Sequence, residues 1–170
     1  MKKVFLLFVL LMSMVTINAQ NSLENAKLAT SKGNYVVGLN TTNLGFSNVQ
    51  DSGTNVNVGL NVGYFVDART AVIFGGGYDA YLSDGLNTNS WTYTAGIKQY
   101  LGSVVPVQVD WNGATGNNVH PSKSAIGLQA GYAWFPTRHF SVEPAVRYNL
   151  SLTDAYPNVL SGALGFNYFF

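Results

Sequence analysis

The sequence predicts an all-β fold, an eight-stranded, antiparallel, up-and-down transmembrane β-barrel. Three observations carry this reading. Apolar residues recur at every second position along most of the chain, as in strands with one apolar and one polar face. Only 10% of the 170 residues are charged while 47% are hydrophobic, against about 25% charged in an ordinary soluble domain. Beyond the N-terminal leader no apolar run approaches the roughly 20 residues that a membrane helix needs.

Composition removes several classes of function. An aromatic content of 14% is too high for a chain that cannot build a core. A net charge of +1 leaves no basic footprint for nucleic acid. The absence of cysteine excludes disulfide scaffolds, thiolate zinc sites and cysteine nucleophiles.

The N-terminus has the layout of a secretory signal peptide over 1–19. Lys2 and Lys3 precede an apolar run over 4–12, which Met14 and Val15 extend, and Ala19 offers a small residue at a cleavage point. The run is too short to span a bilayer as a helix. No cysteine follows it to carry a lipid. Residues 20–32 lack alternation and read as a lead-in that could hold a short helical turn. The barrel domain is expected over 33–170.

The strands are expected at 34–46, 54–66, 70–82, 91–101, 105–114, 124–135, 139–152 and 159–170. In the first, Tyr35, Val37 and Leu39 share one parity while Leu44 and Phe46 share the other, so a bulge or an early end is expected near 41–43. The second is the clearest. Val56, Val58, Leu60, Val62, Tyr64 and Val66 alternate with Asn55, Asn57, Gly59, Asn61 and Gly63, and only Phe65 breaks the pattern. The sixth sets Ile126, Leu128, Ala130, Tyr132 and Trp134 against Gly127, Gln129, Gly131 and Ala133. The seventh sets Phe140, Val142, Val146, Tyr148 and Leu150 against Ser141, Glu143, Ala145, Arg147 and Asn149, with Pro144 expected to cause a bulge or bend. The eighth runs through Leu164, Phe166 and Tyr168 to Phe170. Short connections at 67–69, 102–104 and 136–138 alternate with longer polar ones at 47–53, 83–90, 115–123 and 153–158, which is the rhythm of repeated hairpins.

A closed barrel removes exposed sheet edges. Its apolar face could line a soluble, ligand-holding lumen or face lipid. The signal peptide, the scarcity of strand charges, and the Gly, Ala, Asn and Thr of the opposite face favour lipid outside and a narrow filled lumen. Aromatic residues collect toward the strand ends: Tyr64, Tyr100, Trp134, Phe140 and Tyr168 beside the short turns, and Phe46, Tyr78, Trp91, Tyr93, Trp111 and Tyr148 toward the longer connections. Such sets read as the two interfacial girdles of a membrane barrel.

An aromatic C-terminal residue, Phe170, with Tyr168, Phe166 and Leu164 at alternate earlier positions, resembles the assembly signal of bacterial outer-membrane barrels. With the leader and eight strands, the chain resembles the small OmpA/OmpX type of Gram-negative outer membranes. The stretch 143–148 is similar to the penultimate strand of such barrels. The resemblance implies short turns, lead-in and termini in the periplasm, and long loops outside. It implies outer-membrane lipids, lipopolysaccharide and the outer-membrane assembly machinery as partners, no nucleic acid, no cofactor, and a monomer.

Five charges, Asp79, Lys98, Asp110, Glu143 and Arg147, fall on the small-polar face and so are expected to point into the lumen. Isolated buried charges are costly, so a salt-bridge network filling the lumen is one reading. A narrow ion path lined by the same charges is a second, and a catalytic carboxylate pair a third. His120 sits in a long loop near Ser122, while His139 adjoins a short turn. The two lie at opposite ends and cannot share a metal. Gly75, Gly76 and Gly77 lack the lysine and helix of a phosphate loop.

Three functions stay open. The first is a non-enzymatic envelope scaffold whose surface loops contact solutes, surfaces or lipopolysaccharide. The second is a narrow pore for ions or small solutes. The third is an outer-leaflet lipid-modifying enzyme around His120.

Overall fold

The computed structural model describes residues 19–40, 44–49, 53–83, 86–117, 122–154 and 157–170. Helix α1 (Ala19–Ala29) precedes ten strand segments: β1 (Tyr35–Asn40), β2 (Leu44–Val49), β3 (Gly53–Asp67), β4 (Thr70–Ser83), β5 (Leu86–Leu101), β6 (Val105–Asn117), β7 (Lys123–Gly131), β8 (Trp134–Thr137), β9 (Phe140–Ser151) and β10 (Val159–Phe169). All pairings are antiparallel, and consecutive strands pair with one another except β1 with β2 and β7 with β8. β1 and β2 both pair with β3, and β7 and β8 both pair with β9, so the segments fill eight strand positions. The β1–β10 ladder closes the barrel.

The parity change in the first strand has a structural counterpart in register. Gly38 faces Asn61 and Leu44 faces Val58, so six steps on one strand oppose three on the other. The odd surplus exchanges the two faces. Residues 41–43, where a bulge or an early end is expected, lie outside the described residues.

No bulge forms at Pro144. β9 runs unbroken through it, and its register with β10 does not shift. The interruption falls on the opposite neighbour, at Tyr132 and Ala133 between β7 and β8. Pro144 lacks an N–H, so only one hydrogen bond of that pair forms, from Tyr132 N to Pro144 O at 3.0 Å.

The longer connections are shorter than the sequence suggests. β5 begins at Leu86 rather than 91, with Ser83 paired to Leu86, and β6 runs on to Asn117. Polar stretches such as 87–90 extend the hairpins because backbone pairing tolerates Asn, Thr and Ser on strands that leave the apolar zone. The short turns are tight, with Arg69 and Ser103 in the left-handed region at φ 75° and 74°.

An apolar belt faces outward, including Leu60, Phe74, Ile97, Val109, Leu128, Val146 and Leu160, all exposed. Aromatic rings flank it. Toward the longer connections Tyr78 packs on Trp91 with centroids 5.1 Å apart, and Tyr93 on Trp111 at 5.0 Å. At the short-turn end Tyr35, Tyr64, Trp134, Tyr168 and Phe170 are exposed. Tyr100 is a correction to the expected girdle. It points inward and is only 1% exposed, because it shares parity with Lys98. The side chain of Phe46 lies outside the described residues.

The lead-in forms an 11-residue helix rather than a short turn. Its small residues Ser22, Ala26 and Ala29 are buried against the short-turn end of the barrel. The Phe135 N–H donates to Ser22 Oγ at 3.0 Å, and Asn25 Nδ2 donates to Phe135 O at 3.2 Å. These side chains satisfy backbone groups of β8 that lack a ladder partner. Arg69 N donates to Thr30 O at 2.8 Å, which ties the helix exit to the first short turn. No helix among the described residues is long and apolar enough to cross a membrane.

Candidate functional site

The lumen is filled in layers. At the short-turn end, behind α1, lie the rings of Phe65, Tyr100, Phe135 and Phe169 with Val36, Ala71, Ile73 and Ala133. Neighbouring centroids are 5.4–6.2 Å apart, from Phe135–Phe169 to Phe65–Phe169. Phe65 is the residue that breaks the alternation of its strand. It points inward by ordinary alternation, on the same face as Asn61 and Gly63, and the register shifts only beyond it, between Phe65 and Asp67.

The next layer centres on Glu143. Its Oε2 pairs with Lys98 Nζ. Its Oε1 accepts from Tyr100 Oη at 2.8 Å and from Ser141 Oγ at 2.9 Å. Asn167 Nδ2 donates in turn to Ser141 Oγ at 3.1 Å. The Lys98 ammonium also stands 5.2 Å from the Tyr100 ring centroid, within cation–π range. Above this layer is a void of about 30 Å³, bounded by Lys98, Gln108, Gln129, Glu143 and Asn167.

A second ion pair crosses the lumen there. Arg147 Nη2 donates to Asp110 Oδ1 at 2.6 Å, and Nη1 to Oδ2 at 2.8 Å. This is the bidentate arrangement of a guanidinium and a carboxylate. Gln108 and Asn112 each donate to one Asp110 oxygen, at 2.7 and 2.9 Å. Arg147 Nε donates to Asn149 Oδ1 at 3.2 Å. Gly127 makes room for the crossing. A Cβ there would lie 2.7 Å from both Arg147 Cζ and Asp110 Oδ1.

All four paired side chains are buried, and each pair joins non-neighbouring strands, β5 to β9 and β6 to β9. The pairs therefore brace the barrel across its bore. Asp79 belongs to neither pair. It lines a polar cup of about 180 Å³ above the Asp110–Arg147 layer, with Lys123, Thr92, Thr94, Asn61 and Asn149.

Of the other sequence candidates, His120 lies outside the described residues. His139 stacks on Tyr168, and its Nδ1 is 2.9 Å from Phe169 O. Among the described residues no group of three His, Asp or Glu is placed to hold a metal. Leu164, Phe166, Tyr168 and Phe170 share the outer face of β10, where the last three are exposed. Phe170 N donates to Tyr35 O at 2.9 Å, so the last residue takes part in barrel closure.

Comparison with solved structures gives an independent view of this architecture. The N-terminal β-barrel domain of OprF from Pseudomonas aeruginosa superposes with a TM-score of 0.53 at 12% identity, covering 82% of this chain and 98% of that one. The outer-membrane protein Ail of Yersinia pestis, in a phospholipid bilayer nanodisc, gives 0.52 at 15% identity, covering 82% and 99%. The fold is that of the small outer-membrane β-barrels. Both neighbours are covered almost end to end, so the likeness concerns a whole barrel and not a shared sheet fragment. No family model matches the sequence, and no curated protein does.

Proposed function

We propose that the protein resides in the bacterial outer membrane as a non-enzymatic envelope barrel. Its lumen is closed, and its longer connections face outward to contact solutes, surfaces or lipopolysaccharide. The observation that carries this reading is the pair of buried ion bridges, Lys98–Glu143 and Asp110–Arg147, set one above the other across the bore. The aromatic layer and the docked helix beneath them support the same reading. So does the carboxylate chemistry. Both oxygens of Glu143 and both of Asp110 accept hydrogen bonds from the protein, which leaves neither poised as a general base.

Residence in the outer membrane is supported by the exposed apolar belt and by the likeness to outer-membrane barrels. In this reading the leader over 1–19 is removed during export. Leu164, Phe166, Tyr168 and Phe170 present the signal read by the assembly machinery. Cell fractionation tests it. The full chain is expected in the outer-membrane fraction, and deletion of Phe170 is expected to lower that amount sharply. Soluble periplasmic protein, or undiminished outer-membrane levels without Phe170, contradicts it.

A further inference from the structure

The cup above the Asp110–Arg147 layer has a chemistry that the scaffold role does not use. We infer that it binds a neutral polyhydroxylated ring, one hexose in size, entering from the end of the barrel with the longer connections. The inference deepens the surface-contact reading and rests on the lumen being closed beneath the cup.

Volume comes first. At ordinary interior density, the cup of about 180 Å³ holds about a dozen non-hydrogen atoms, the count of a hexose. Its lining is mostly polar, with amides from Asn61, Gln108, Asn112 and Asn149 and hydroxyls from Thr92 and Thr94, beside Tyr93 and Ala114. Amides and hydroxyls both donate and accept, which suits a ligand whose own hydroxyls do the same. Among the described residues the cup presents no large aliphatic surface for a lipid chain.

Charge sets the class. Asp79 and Lys123, of opposite charge, both face the cup. Arg147 on its floor is balanced by Asp110. With Asp110 beneath the floor counted against Arg147, the charges at the cup sum to zero, and no net field concentrates an anion or a cation. The lining residues stand on paired strands rather than loops, so the site is held rigid without a ligand.

The ring could be a free sugar or the terminal residue of a surface glycan, and the test separates them. The side-chain amide resonances of Asn61, Asn112 and Asn149 are followed by NMR in the refolded full barrel. Free glucose, galactose and mannose form one arm, and trisaccharides of the same sugars form the other. Sodium phosphate and choline chloride are the charged controls. Saturable shifts are expected with half-saturation on the order of 1 mM, as ordinary ligand efficiency gives for about a dozen atoms. Thr94→Leu, which fills the cup, is expected to abolish them. The milder Thr94→Val is expected to weaken binding roughly three- to tenfold, the worth of one hydrogen bond. Response to free sugars assigns a free solute, and response to trisaccharides alone assigns a terminal residue. The inference is overturned by no saturable shift in either arm, by equal response to the charged controls, or by shifts that persist unchanged in Thr94→Leu. Conductance through the same preparation would instead count against closure of the lumen.

Discussion

The Tyr100 hydroxyl donates to Glu143 Oε1 at 2.8 Å, while the other oxygen of that carboxylate takes Lys98. One inward tyrosine thus joins the aromatic seal at the short-turn end to the ion-pair layer above it. Tyr100 also packs on Phe65 and Phe135, with centroids 6.0 and 6.1 Å away.

Breaking the lower bridge from one side should be costly. Lys98→Met leaves Glu143 charged and buried, and is expected to destabilise the barrel by about 3–5 kcal/mol. The double change Lys98→Met with Glu143→Leu removes both charges and is expected to be near neutral or stabilising. Urea unfolding in lipid vesicles, read for both singles and the double, checks the cycle. A single change without effect would mean that the pair does not form in the folded barrel.

Gly127→Ala tests the upper bridge without touching a charge. The added methyl would press on the Arg147 guanidinium and on Asp110. Overpacking of this kind costs about 1–3 kcal/mol. The same unfolding measurement reads it, and Gly162→Ala, where a Cβ meets nothing within 4 Å, is the control expected to change little.

The docked helix makes a third prediction. Ser22→Ala strands the buried Phe135 N–H, a loss of about 1–3 kcal/mol for an unsatisfied donor. Asn25→Ala removes a bond to a less buried carbonyl, and is expected to cost only about 0.5–1.5 kcal/mol. Equal, negligible effects would show that the helix is not docked on β8 in the membrane.

The inside–outside assignment is tested at Leu60, which is exposed within the apolar belt. Leu60→Arg is expected to cost about 2–4 kcal/mol if the residue faces the bilayer midplane. Unaltered stability of a folded Leu60→Arg barrel would contradict the assignment.

Much of this was legible from period two alone. Alternation determines which face a strand residue occupies, so the inward side of Lys98, Asp110, Glu143 and Arg147 follows from their apolar neighbours. Which charge meets which does not. Lys98 finds Glu143 three strand positions away, and that matching depends on the stagger of a closed barrel. Tyr100 was legible in principle, since it stands two residues from Lys98 on the same strand. The hairpin extension also left a signal. Asp84-Gly85, a dipeptide favoured in two-residue hairpins, lies between the paired Ser83 and Leu86. The helix was harder to see. Ser22, Asn25, Ala26 and Ala29 recur at helical spacing, yet they are small and polar, and only the barrel end supplies the surface they fit.

Single-channel conductance of the refolded protein in a planar bilayer asks whether the lumen is closed. With two ion-pair layers, an aromatic layer and a docked helix in series, folded protein is expected to leave the bilayer silent. Steady, discrete openings would mean that a continuous water path runs past those layers, and would make the protein a pore.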